Sequence, residues 1–376
     1  MLLRNRLKKD RANLLKSKNR KLIDTFLILI GIGIFHVTIA DYDDEKLGEP
    51  QGFPGDSAFY ESMEGSSIDN YANVYNYEYT TKVNTKSRRK NVHLKDLEFS
   101  FCENIDIPGM PDTKKEDFLN QYIFSTSQCP QGICFTEDFV FITSYSNEED
   151  CLGGLLVFDR EKGEYLITLG LDEDSHLGGI AYDGVNVWVC NSENKSIERI
   201  SYEFIYLMAM QNKGKVINAT NLVDVYPVKN VPSCITYYDG CLWIATHNIW
   251  MNSKIVSYDY NKEEDKLQTR ASYNIPAQVQ GIVFDETGEI YLSCSYGRRW
   301  SSYIKKYDSV SYMTEKVNHP AVVIEMPPGA EEIDIYEDML YVLFESAGEK
   351  YYEGTDGNGK SLSPLDKILM IPIMQE

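Results

Sequence analysis

Gly178-Gly179-Ile180-Ala181-Tyr182-Asp183-Gly184, followed by Val187-Trp188-Val189-Cys190, decides the fold, because its pattern occurs five times between residues 131 and 373. The copies open on Gln131-Gly132-Ile133, Gly178-Gly179-Ile180, Ser233-Cys234-Ile235, Gln280-Gly281-Ile282 and Glu331-Glu332-Ile333. Their second positions stand 47, 55, 47 and 51 residues apart, near the roughly 40 to 50 residues of a four-stranded propeller blade. An aromatic keeps the register. Phe141, Trp188, Trp243 and Tyr341 lie nine residues beyond that position, and Tyr291 lies ten beyond, after the longer turn Asp285-Glu286-Thr287-Gly288. The chain is therefore read as all-β, a single β-propeller of five blades over residues 118–376.

Within a blade, a short inner strand, a tight turn and a second strand with the aromatic are followed by a third strand, as at 197–202. Asp183-Gly184 and Asp239-Gly240 signal hairpins whose two central residues both take positive φ. An insertion at 204–210, then Gln211-Asn212-Lys213-Gly214-Lys215, reads as either a short helix or a long hairpin. The last copy supplies its third strand over 367–373, so its outer strand is expected from elsewhere. Residues 119–126 are the candidate for this clasp, which would leave the ring no open edge. Residues 92–101 show strand-like alternation as well.

Ahead of the repeats, nine cations (Arg4, Arg6, Lys8, Lys9, Arg11, Lys16, Lys18, Arg20 and Lys21) precede an apolar run at 26–40. Basic residues before such a run hold the N-terminus in the cytoplasm and send the rest across the membrane. Residues 1–21 are thus read as a basic cytoplasmic segment and 22–40 as a transmembrane anchor or a signal peptide cleaved after Ala40. Residues 41–117 are read as an acidic tether and pre-propeller segment. The expected location is the cell membrane, single-pass, with the propeller outside, or the secreted state. Because residues 1–40 carry a net +7, the rest of this −20 chain carries −27. Such a surface repels phosphate backbones and excludes nucleic acid as a partner. Of the eight cysteines, Cys134, Cys190, Cys234, Cys241 and Cys294 fall in predicted strands as small apolar side chains. Cys102, Cys129 and Cys151 fall in connections, where pairing is open.

A propeller gathers its inner-strand starts and the loops leaving its second strands around the mouth of a central channel. Those positions here hold Gln131, Tyr145, His176, Asn191, His247, Gln280, Tyr296 and Arg298 as candidate ligand-binding residues, with Gly178 and Ser233 completing the strand starts. Glu331 and Glu345 form a candidate acid and base pair, since close like charges force one pKa upward. They equally well pair with Arg298 or Lys350. Strand-start Gln and Glu also cap backbone groups, so the same residues suit a water-lined channel. Asp356-Gly357-Asn358-Gly359 opens like a calcium loop, but Lys360, Ser361 and Lys367 occupy positions that such a loop gives to ligands and glycine. It is read as a surface hairpin loop. No metal or cofactor is expected, and the sequence holds no Gly-x-Ser-x-Gly, P-loop or His-Glu-x-x-His.

Two resemblances follow from particular motifs. Val279-Gln280-Gly281-Ile282-Val283-Phe284 through Ser293-Cys294-Ser295-Tyr296-Gly297-Arg298-Arg299-Trp300-Ser301-Ser302 is joined by Leu340-Tyr341-Val342-Leu343-Phe344-Glu345-Ser346 and Pro364-Leu365-Asp366-Lys367-Ile368. Together these resemble a family of uncharacterised exported bacterial five-bladed β-propellers over about residues 119–373, which implies fold but no activity. Gln-Gly-Ile followed by Ser-x-Ser-Tyr-Gly-Arg and Ser-Ser is also similar to blades of propeller-type glutaminyl-peptide cyclotransferases. That similarity implies cyclisation of N-terminal glutamine. The family's glutamate-rich motifs in the middle blades are replaced here by His176-Leu177-Gly178-Gly179 and Pro232-Ser233-Cys234, leaving Glu331 and Glu345 as carboxyls. A calcium-dependent lactone hydrolase would require an axial Glu, Asn and Asp cluster, for which only Asn191 and Glu331 are available. The leading expectation is an extracytoplasmic module that binds a small ligand, protein or peptide. The alternative is a propeller enzyme.

Overall fold

The computed structural model describes residues 68–373, apart from 87, 106, 108–127, 147–150 and 172–174. Five sheets form the five blades of a β-propeller. Blade one runs outward from Gln128–Phe135 through Phe139–Ser146 and Gly154–Asp159 to Tyr165–Gly170. Blade two holds Ile180–Tyr182, Asn186–Asn191, Ser196–Ser201 and Asp224–Pro227, and blade three holds Cys234–Tyr238, Cys241–Ala245, Ser253–Asn261 and Lys266–Ile275. Blade four holds Val279–Phe284, Ile290–Cys294, Ser302–Tyr307 and Val322–Met326. In blade five, Ala330–Tyr336, Met339–Phe344 and Leu369–Pro372 are followed outward by Ser100–Phe101.

Each blade leaves two apolar faces that only its neighbours can cover, and five apolar clusters lie between successive blades. The cluster joining blade five to blade one closes the ring. There Leu343 packs with Ile133 and Val140, and the rings of Phe135 and Tyr341 stack at 3.9 Å. Of the aligned aromatics, Phe141, Trp188 and Tyr291 are buried and Trp243 and Tyr341 are half-buried.

The outer place in blade five, expected for residues 119–126, is taken by Ser100–Phe101, which pairs antiparallel with Leu369 and Met370. Residues 119–126 lie outside the described residues. The alternation at 92–101 thus divides into two strands. Lys90–His93 adds to blade four in parallel, and a short 3₁₀ turn at Leu94–Asp96 carries the chain across to blade five. Asn70–Asn76, a helix capped by Asp69, is fixed to the ring by the Asn70 amide, which donates to Asp366 at 2.6 Å. The described residues between 68 and 107, within the expected tether and pre-propeller segment, therefore pack against blades one, four and five. Apolar Val74, Val92, Leu94, Phe101, Ile105 and Ile107 are all buried there. The expected spans 1–21 and 22–40 lie outside the described residues.

The blade-two insertion is a helix, Tyr202–Gln211, capped by the Ser201 hydroxyl. After it, Lys215–Asn218 returns to blade one as a parallel fifth strand. Of the two Asp-Gly turns, only Asp239-Gly240 has positive φ at both residues. At Asp183-Gly184 only Gly184 does, because the Asp183 carboxylate instead accepts from the backbone of Val185 and Asn186 and from the Trp188 indole. All eight cysteines are free thiols, including Cys102, Cys129 and Cys151.

Two of the five aligned positions, 179 and 281, are glycine for a reason that lies in the fifth. Glu332 projects toward the axis, where its carboxylate accepts from the backbone N–H of Ile282 at 3.0 Å and Ile333 at 3.3 Å and is also bonded by that of Ile235. One side chain therefore ties the inner strands of blades three, four and five. A Cβ on Gly179 would fall 2.7 Å from Glu332 Oε2, and one on Gly281 would fall 2.8 Å from Oε1. Two residues further along the same strand, Asp334 accepts from the Phe135 N–H at 2.6 Å and ties blade five to blade one.

Candidate functional site

The innermost strands of blades one, four and five each carry an irregularity at the mouth. Pairing jumps from Pro130 to Gly132, from Val279 to Gly281 and from Ala330 to Ile333. An extra residue on one strand of an antiparallel pair re-aims a side chain that would otherwise stay in the pleat. Gln131, Gln280 and Glu331 occupy these three bulges and line a cavity of about 740 Å³, a size typical of small-ligand sites. Blades two and three contribute by close approach of backbones. A Cβ on Gly178 would lie 2.3 Å from the Ser233 carbonyl oxygen.

All eleven sequence-predicted mouth positions outside blade two's second strand line this cavity, and ten of them carry over as expected: Gln131, Tyr145, His176, Gly178, Ser233, His247, Gln280, Tyr296, Glu331 and Glu345. The eleventh, Arg298, also lines it, but its guanidinium is committed to protein groups. Nη1 donates to the carbonyls of Lys350 at 2.8 Å and Gly359 at 2.6 Å, both terminal nitrogens bond the Asp356 carboxylate, and the plane lies over the Tyr351 ring. The expected ligand contact is thus a structural ion pair that pins the wall of the site. Asn191 does not reach the cavity. It is buried in blade two, donating to Glu198 at 2.8 Å and accepting from the Asn194 N–H, as a group at a strand end commonly does.

Glu331 and Glu345 meet on the cavity floor and are hydrogen-bonded to each other, both buried. Burial pushes both carboxyls upward, and Glu331 rises well above the usual range because the Glu345 charge adds to it. Glu345 is the better-supported anion. Tyr351, Glu331 and Gln131 hydrogen-bond to it and the Arg298 charge lies nearby, whereas Glu331 receives only the Gln280 amide, at 3.0 Å. The pair's proton therefore resides on Glu331, which donates it to Glu345.

The rest of the wall comes from a segment of which the sequence marked only Lys350, as an ion-pair partner for the carboxyls, and the Asp356 loop, as a surface hairpin. Between the second and third strands of blade five, the chain runs through a 3₁₀ turn at Glu345–Ala347 and the short helix Glu349–Tyr352 before the Asp356 loop. Lys350 and Tyr351 enter the cavity from this helix. The Lys350 ammonium bonds the Tyr145 hydroxyl and lies over the rings of Tyr145 and Tyr351, at 4.3 and 4.7 Å. Burial lowers its pKa. The unusual length of this connection was the one further signal available. The Asp356-Gly357-Asn358-Gly359 loop is part of the site's wall, with Asp356 and Asn358 lining the cavity.

His247 has Nδ1 3.1 Å from the Val279 carbonyl, and burial lowers its pKa. His176 packs on the Tyr145 ring at 4.3 Å while its residue stays exposed overall. Burial of the packed part lowers its pKa, with Glu193 opposing. Tyr296 stands at the edge, 5.7 Å from the Trp250 ring. Chemically, the site offers a carboxyl pair sharing one proton, amides on either side, an ammonium caged by two phenol rings and two neutral imidazoles.

No family model and no curated protein sequence matches the chain. Solved structures similar to it include the glutaminyl cyclase of Myxococcus xanthus, 10% identical with a TM-score of 0.41 over 76% of this chain and 99% of that one. A nidogen/laminin complex is 15% identical, with a TM-score of 0.35 over 58% of this chain and 73% of that one. The hydrazine synthase of Kuenenia stuttgartiensis is 12% identical, with a TM-score of 0.34 over 60% of this chain and 58% of that one. Similarity at this level transfers no residue's role.

Proposed function

We propose that the chain is a ligand-binding propeller whose mouth receives a compound presenting a primary amine or amide to the Glu331–Glu345 pair. The hydrogen bond between these two buried carboxyls carries the reading. A pair holding one proton presents an anion to an ammonium, and an ammonium that displaces the hydrogen bond between the two carboxyls frees the Glu331 hydroxyl to donate to a carbonyl oxygen; their shielding from water strengthens both contacts. The pair is too close for glycoside hydrolysis, whose carboxyls stand about 5 Å or more apart to flank a sugar bond. Calorimetric titration with a short glutaminyl peptide amide and its N-acetylated form tests the idea. The free amine should bind, acetylation should weaken it at least tenfold, and Glu345→Gln should do the same. Equal binding of both peptides refutes the proposal.

A second reading, cyclotransfer on an N-terminal glutamine, is favoured by the division of roles within the pair and by the motif similarity of blade four. Ionised Glu345 would take a proton from the α-amine as its nitrogen attacks the side-chain amide carbon. Protonated Glu331 would give its proton to the departing nitrogen, which leaves as ammonia. Glu331→Gln should then abolish ammonia release while the peptide still binds. We further place the propeller outside the cytoplasmic membrane, tethered through 22–40 or released after Ala40. The support is the basic block ahead of the apolar run.

A further inference from the structure

The three most exposed large apolar side chains among the described residues are Trp250 (78%), Met251 (67%) and Trp300 (67%), and all belong to loops at the mouth. Trp300 lines the cavity directly, and Trp250 packs on Tyr296, which also lines it. These loops leave the second strands of neighbouring blades three and four. Trp250 and Met251 are held outward by their backbone, since Asn248 Oδ1 accepts both of their N–H groups at 3.1 Å. Tryptophan so exposed forfeits a large apolar surface, and such patches beside a polar pocket mark where a partner is bound.

Building on the amine reading of the mouth, we propose that this rim is a subsite for the apolar side chain that follows the N-terminal residue of a peptide entering amine-first. The amine reading sets the direction: the chain's positive end meets the Glu331–Glu345 pair, while of the cavity's own cations Arg298 is paired with Asp356 and Lys350 is held over the rings of Tyr145 and Tyr351. Exposed Arg299 lines the same edge and faces the backbone carbonyls of an extended segment. The side chain beside Trp250 is Met251, an adaptable apolar group suited to varied side chains.

The test uses the full-length chain and three peptide probes: Gln-Phe-Ala-amide, Gln-Ser-Ala-amide and N-acetylated Gln-Phe-Ala-amide. Phe at the second position should bind at least tenfold more tightly than Ser, about 1.4 kcal/mol. The double variant Trp250→Ser/Trp300→Ser should erase that preference, so that Gln-Phe-Ala-amide and Gln-Ser-Ala-amide bind it equally. Both residues are exposed, and circular dichroism checks that the fold is kept. Absence of a Phe preference in the native chain, or its persistence in the double variant, overturns the subsite. So does binding of N-acetylchitohexaose that the double variant loses when no Phe preference exists, which would assign the rim to a glycan. Failure of the amine reading appears separately, as equal binding of the acetylated and free Phe peptides.

Discussion

Gly281→Ala tests the tight axis on which the site is built. Gly281 does not have positive φ, so on backbone grounds alone alanine would stabilise the protein by about 0.4–1 kcal/mol through the unfolded chain. The tertiary environment reverses that sign. The new methyl carbon would lie 2.7 Å from the Glu331 carbonyl oxygen, 2.8 Å from the Glu332 Cα and 2.8 Å from Glu332 Oε1. Two of these are backbone atoms that no rotamer change removes, so the inner strands of blades four and five must separate. Overpacking of this kind costs about 1–3 kcal/mol, leaving a net loss of about 1.3 kcal/mol at the middle of both ranges after the entropic gain. For a domain of this size, thermal unfolding should shift down by roughly 2–8 °C, read by calorimetry or circular dichroism. Because Glu331 is the residue pushed, the peptide amide should also bind more weakly. A melting temperature equal to or above the native value would refute the packing argument.

Stability should fall as pH rises from 6.5 to 8.5. Asp334 is pushed up to about 7 by burial, and burial raises Glu331 and Glu332 well above the usual carboxylate range. Each has a folded pKa above its unfolded value, so the unfolded chain binds fewer protons across this window and gains as pH rises. His176 and His247 are shifted downward, so their opposing effect is confined to pH values below about 6.5. A rising melting temperature over this range, followed by scanning fluorimetry, would contradict the assignment. Arg298→Ala should loosen the segment 349–361 rather than unfold the ring. It removes hydrogen bonds to two carbonyls and an ion pair, each charged bond contributing about 1.5–3 kcal/mol. Hydrogen exchange there should accelerate at least tenfold, and native exchange would show that the ion pair does not hold the wall.

The identity of the strands and their grouping into five blades were legible because both are local. Alternation over four to eight residues, turn residues and a recurring aromatic are set by neighbours in sequence, and five similar units have few ways to bury their faces other than a ring. The same regularity brought Gln131, Gln280, Glu331 and Glu345 to notice, since equivalent positions in a closed ring must face one axis. What pattern could not supply depended on contacts between distant segments. The alternation at 92–101 marked Ser100–Phe101 as strand, but only the open edge of Leu369–Pro372 decided that it would be the outer strand of blade five. Arg298 looked free to meet a ligand because Asp356, 58 residues away, gave no sign in sequence that it would fold back upon it. Lys350 and Tyr351 lie in a connection whose course is fixed by its anchors, not by its composition. Even the glycines at 179 and 281 owe their necessity to Glu332 on another blade. Sequence set the repeat because a repeat is a local regularity, and the tertiary structure alone set the proton between Glu331 and Glu345, because only closure of the ring removes both carboxyls from water.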